Sequence, residues 1–176
     1  MPDRPQNLIV DFYLGSSSDH RRRTIIDLWS MDYRELEDVH DYIQWLFPNW
    51  TGSQFSPDAP VLDEATRDIF HSSPEIRLRL MESLDVMLDF YGLARDEIEI
   101  FEAGHFVERQ GAWLNPGNHN HLRITRIILC LWTLDFPDLA RSLHRCLESI
   151  DRKHPGRITA ETWNHWNEAA RRQRGK

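Results

Sequence analysis

Long apolar runs are missing from this chain of 176 residues. No stretch approaches the roughly 20 consecutive apolar residues that a bilayer-spanning helix needs, so no membrane span is expected. Cysteine is nearly absent. Cys130 and Cys146 cannot build a disulfide framework and have no metal-ligand spacing. Both fall in helical patterns and read as reduced core thiols of a cytoplasmic protein. Lysine is equally scarce: 19 of the 21 basic residues are arginine, which suits bidentate pairing with carboxylate or phosphate but follows from genome composition equally well. A glycine-rich phosphate loop, a G-x-S-x-G elbow and an H-E-x-x-H helix are all missing. So are internal repeats and low-complexity segments. The opening "MPDRPQNLIVDFYLG" has no apolar core of a signal peptide. No cofactor is expected.

What is present is an ordinary globular composition, 40% hydrophobic and 28% charged, long enough for one domain that buries a substantial core. Its net charge of -7 is unevenly spread. Residues 1–104 hold 21 acidic and 9 basic side chains, and residues 105–176 hold 7 and 12. Two complementary halves explain this better than a nucleic-acid surface, because the field of the whole protein opposes a polyanion. No nucleic-acid partner is expected, and the sequence sets no oligomeric state.

The periodicity predicts a mainly α, single-domain bundle of about six to seven helices. Residues 8–14, "LIVDFYL", read as a short strand or an extended arm. A helix is expected over residues 20–31. Asp32 with Glu35 forms a capping-box pattern that opens the next helix, ending near Phe47 before Pro48. After a Pro-, Gly- and Ser-rich loop comes a short helix over residues 63–70. Ser73-Pro74-Glu75 starts a longer one that stops at Gly92. Residues 98–101 carry a strand signal, and three helices follow over residues 118–134, 137–153 and 159–172. The basic tail "RRQRGK" reads as frayed. The organisation is thus an arm over residues 1–18, a helical domain over 19–153, and a C-terminal helix with its tail over 154–176.

Two segments carry chemistry. In "HDYIQWLFP", a continuous helix at about 100° per residue puts Leu36, Val39, Ile43, Leu46 and Phe47 on one apolar arc. His40 lies at its border, with Gln44, Glu37 and Asp41 beyond it and Trp45 further out. This polar strip is either a solvated face or one wall of a cleft, and a histidine beside carboxylates tends toward a raised pKa. In "NHNHLRITRIILCLW", His119, Arg123, Arg126 and Cys130 share an arc of a helix that is apolar almost all round and therefore buried. Buried guanidiniums need carboxylates, carbonyls or a bound anion. One solution is an ion-pair seam joining Glu37 and Asp41 to Arg123 and Arg126. Another is an anionic group at the helix N-terminus, held by free N–H groups, His119 and Arg123. The two can coexist. A metal at "HNH" is disfavoured, since His119 and His121 diverge by about 200° on a helix, and no metal ligand is assigned.

"DFYLG", "DLW" followed by "ELEDVHDYIQWLFP", then "SQFSPDAPVL", "MLDFYGL" and "NHNHLRITRIILCL", in this order, resemble the conserved domain of the opioid growth factor receptor family. The resemblance runs from about residue 8 to 147. It departs at "DHRRRTI", where the family usually has a glycine before the arginine, and it is not visible after His154. It implies a mainly helical domain, and identifies residues 19–153 as that domain. Animal members are described as receptors for a short opioid peptide, associated with the nucleus and its periphery. They carry long repeat-bearing extensions, so this chain looks like the domain-only bacterial or fungal members, whose role is unassigned. The ligand-binding positions that the motifs imply are His40, Asp41, Gln44 and Trp45 with His119, Asn120, Arg123 and Arg126.

Three functional readings follow. The first is a non-enzymatic binding module for a small anionic molecule or peptide, with Arg123 and Arg126 clamping it and Trp45 walling the site. The second is a hydrolase-type enzyme with His40 or His119 as base and Arg123 and Arg126 holding an anionic substrate. The third is a structural protein-interaction domain using exposed tryptophans. No residue is assigned a catalytic role.

Overall fold

A computed structural model describes residues 7–54 and 56–171. Secondary structure among them is mainly α: ten α-helices and one two-stranded antiparallel sheet. The chain divides into two compact units, residues 1–83 and 84–176, the division falling inside one long helix.

The first unit opens with α1 (Leu8–Tyr13), not with the strand or arm that its β-branched and aromatic residues predict. Asn7 caps it by accepting the Val10 N–H at 3.1 Å. Four of its six residues are buried. A strand sends alternate side chains to opposite faces, whereas one turn and a half of helix puts Ile9, Phe12 and Tyr13 into one core. Strand propensity is weak enough for that burial to override it. Tyr13 donates its hydroxyl to the Leu46 carbonyl and sets its ring edge on Phe70 at 4.8 Å.

The expected capping box of Asp32 with Glu35 opens α3 (Tyr33–Asp38). The helix expected over residues 20–31 is shorter, α2 (Ile25–Trp29), because a second box of Thr24 with Asp27, not read from the sequence, fixes its start. The second helix does not run on to Phe47. Val39 is extended (φ -92°, ψ 129°), and a separate turn, α4 (Ile43–Leu46), follows. The Tyr42 hydroxyl donates to the Leu36 carbonyl at 2.9 Å, satisfying an end-of-helix acceptor that a continuing helix would have used itself. Asp63 caps α5 (Glu64–Ser72) through the Thr66 N–H and hydroxyl at 2.7 and 2.6 Å. Pro74 begins α6 (Pro74–Tyr91) as its spacing predicts.

Gly92 ends α6 in the second unit. Its φ is +77°, and a Cβ there would stand 2.7 Å from the Phe106 backbone, so both conformation and space require glycine. The strands β1 (Leu93–Asp96) and β2 (Glu99–Glu102) form a hairpin in register Leu93↔Glu102 to Asp96↔Glu99. It rests on α9, where the buried Ser142 hydroxyl accepts the Ile100 N–H at 2.8 Å. After the short α7 (Phe106–Arg109) come α8 (Asn120–Thr133), α9 (Pro137–Lys153) and α10 (Ala160–Arg171). The last three match their sequence patterns within two residues, and α8 packs against both α9 and α10. Cys130 and Cys146 are free and buried. The basic tail expectation from residue 172 onward lies outside the described residues. None of the described helices is long and apolar enough to cross a membrane.

Candidate functional site

The break after α3 changes what the polar strip does. A helix no longer connects Glu37 to Gln44, so these side chains do not form the contiguous row that a 100° projection gives them. His40 is exposed on the extended segment, while Asp41 is only 6% exposed. Asp41 is the hub of an ion cluster within its own unit. Its carboxylate accepts from Arg23 at 2.9 Å, lies 2.5 Å from the Arg21 Nε and stands 3.1 Å from the His20 Nε2. Arg23 is held from the other side by Asp19 at 2.6 Å. Burial alone would raise the Asp41 carboxyl, but Arg23, then Arg21 and His20, hold it below the usual carboxylate range. The same balance raises Arg23 above its ordinary value: burial opposes the charge, and Asp19 and Asp41 outweigh it.

The cluster ties residues 19–24 to the break. His20, Arg21, Arg23 and Asp19 were not among the residues selected by sequence. The available signal was "DHRRR", a basic run inside an acidic half and the place where the family pattern is lost. Of the other expected site residues in this unit, Trp45 is buried against Phe12 at 5.1 Å, with the His20 ring stacked near it at 6.4 Å. Gln44 is buried and donates to the Ser53 hydroxyl at 3.2 Å. The polar residues inside this apolar run therefore fasten neighbouring loops.

In the second unit the segment "NHNHLR" starts α8. His119 is exposed at the N-cap position, and Asn120 is fully buried. Asn120 takes the Asn118 side-chain oxygen on its backbone N–H at 2.8 Å and donates its amide to the Ala112 carbonyl at 3.3 Å. Its own side-chain oxygen accepts from the Arg123 guanidinium at 3.1 Å. Arg123 is 5% exposed, and burial pulls the Arg126 guanidinium below its ordinary value. At three residues apart these two cations lie on neighbouring positions of one helix edge. A pair of partly desolvated guanidiniums on an asparagine-braced edge binds carboxylate or phosphate-like groups far better than the same pair in water.

His121, one residue on, is a core group. Its Nε2 donates to the Trp113 carbonyl at 2.9 Å and its Nδ1 accepts from the Thr162 hydroxyl at 3.2 Å. Trp166 donates its indole N–H to the His121 carbonyl at 3.1 Å and packs edge-on to the imidazole. Burial first, and the nearby His119, depress the His121 pKa against the opposing Trp113 hydrogen bond, so the ring is neutral. Among the described residues no three His, Cys, Asp or Glu side chains lie together as a metal-holding group.

A sequence profile described as the opioid growth factor receptor (OGFr) conserved region matches residues 7–176. The match extends past His154, so α10 is part of the conserved region and not an unrelated addition. Among named relatives, the human opioid growth factor receptor is 37% identical over 118 residues, 62% of this chain and 16% of that protein. Mouse opioid growth factor receptor-like protein 1 is 34% identical over 119 residues, 64% of this chain and 24% of that protein. The Xenopus tropicalis relative of the same name is 36% identical over 115 residues, 64% of this chain and 22% of its own length. The matched stretch spans about a quarter or less of these relatives. No solved structure matches.

Proposed function

Because the chain belongs to the family of the opioid growth factor receptor conserved region, we propose that it is a non-enzymatic binding module for a small anionic molecule or a peptide bearing a carboxylate. The polar edge of α8 makes the contact: Arg123 and Arg126 clamp the anionic group, with Asn120 bracing Arg123 and the exposed His119 at the helix entrance. The observation that carries this reading is the fixed Arg123 guanidinium. It is buried on the helix, held at 3.1 Å by an asparagine that is itself fully buried. Fixing a fork-shaped donor before the ligand arrives lowers the entropy cost of binding. The name of the human relative, opioid growth factor receptor, supplies the peptide to try first.

Asp41 has a different part in this reading. Its neighbours Arg21, Arg23 and His20 in the first unit make it a structural anchor.

Calorimetric titration of the purified chain with the opioid growth factor peptide and, separately, with inorganic phosphate tests the proposal. Arg123→Ala should weaken binding by about tenfold or more, a larger effect than the stability lost with the buried hydrogen bond to Asn120. Arg123→Lys should restore the charge but not the bidentate geometry, and so recover only part of the loss. If neither probe binds the unaltered chain, or if Arg123→Ala lowers stability without weakening binding by the still-folded variant, the guanidinium is structural and the reading fails.

A further inference from the structure

The first unit carries an open hollow of about 350 Å³ between α2 and α6, remote from the Asp41 cluster in composition and chemistry. Ile26 and Trp29 form one wall, and Glu75, Leu78, Arg79 and Glu82 form the other. The four α6 residues fall at i, i+3, i+4 and i+7, one stripe about 10 Å long over two helical turns. Trp29 is fixed as a wall because its indole N–H donates at 2.9 Å to the buried Ser83, whose hydroxyl in turn donates to the Arg79 carbonyl. Leu78 is 67% and Ile26 53% exposed. A single exposed leucine is ordinary, but two large aliphatic side chains and a braced indole meeting in one hollow form a patch.

The rim carries a charge. Arg79 pairs with Glu75 at 3.2 Å, whereas Glu82 is exposed and no cation among the described residues pairs with it. The surrounding half of the chain is strongly acidic, with 21 acidic against 9 basic side chains over residues 1–104. An apolar trough two turns long with a spare carboxylate in an acidic field fits one kind of occupant.

We propose that this trough docks an amphipathic helical segment of another protein, inserting large aliphatic or aromatic anchors spaced at i and i+3 or i+4 against Ile26, Trp29 and Leu78. A lysine or arginine within a turn of the anchors pairs with Glu82. This surface shares no residue with the α8 edge, and the proposal does not rest on that reading.

Selection of a random displayed peptide library on the intact chain tests this. The expected winners combine two apolar anchors at helical spacing with a neighbouring cation. A synthetic peptide of that sequence should bind about tenfold or more weakly to Leu78→Glu and to Ile26→Ser. Glu82→Lys should cost about threefold at low salt, and the difference should close at high salt. Because these side chains are exposed, the melting temperatures of the variants should stay near that of the parent. Failure to enrich any peptide, enrichment of acidic or unpatterned peptides, or binding indifferent to Leu78→Glu overturns the proposal.

Discussion

Each of the two units is organised around one buried polar residue, and the two have opposite electrostatic character. In the first, Asp41 is ionised and gathers Arg21, Arg23 and His20. In the second, His121 is neutral and is satisfied by a carbonyl, a hydroxyl and aromatic walls. A charged hub survives burial only by assembling counter-charges, which come from loops and are partly exposed. A neutral hub needs only a donor and an acceptor, so it can sit among tryptophans in the centre of a helix packing. The lesson is that the loop-rich unit is fastened by charge and the helix-rich unit by shape and hydrogen bonding. Their responses to mutation and pH should therefore diverge.

The largest divergence should come from removing the hubs. His121→Ala leaves the Trp113 carbonyl and Thr162 hydroxyl without their partner and opens a cavity beside Trp166. The expected cost is about 3 kcal/mol, read as faster hydrogen exchange across α8 and α10. Asp41→Ala should cost less, about 2 kcal/mol, because Asp19 still pairs with Arg23. Its exchange signature should be confined to residues 19–24 and the segment around Val39. If the two variants loosen the same segments equally, the contrast between the units is wrong.

A smaller effect separates them by pH. The His121 pKa is depressed in the folded chain. The unfolded chain therefore binds more protons as pH drops through about 6.5, and the stability that this ring contributes is present above that pH and lost on acidification toward its folded value. Asp41 is depressed below the usual carboxylate range, so its contribution persists through this window and declines only at more acid pH, below about 4. Melting followed from pH 7 to 5 should fall, with α8 and α10 loosening first. His121→Gln should flatten that slope without touching the acid limb set by Asp41.

Much of the fold was legible because local chemistry dictated it. The Asp32–Glu35 box, Pro74 at a helix start, Gly92 at its end, and the periodicity of α8, α9 and α10 act within a few residues. The helix of residues 8–13 was not legible, because nothing in "LIVDFYL" distinguishes a buried helix turn from a strand. Within the candidate residues, the Arg123–Asn120 hydrogen bond was not read from the sequence, although i, i+3 spacing permits it, and the helical projection assigned Asp41 and Gln44 to a face that the break at Val39 removes.

By itself the sequence determined the helical class, most helix ends and the presence of charged groups that could not stay solitary in a core. Tertiary structure alone decided which groups answered them. Asp41's partners His20, Arg21 and Arg23 and His121's partners Trp113 and Thr162 lie 8 to 41 residues away along the chain. A carboxylate or an imidazole announces its need for a partner through its own chemistry. Which of many arginines or carbonyls meets that need is fixed only when packing brings distant segments within hydrogen-bond reach.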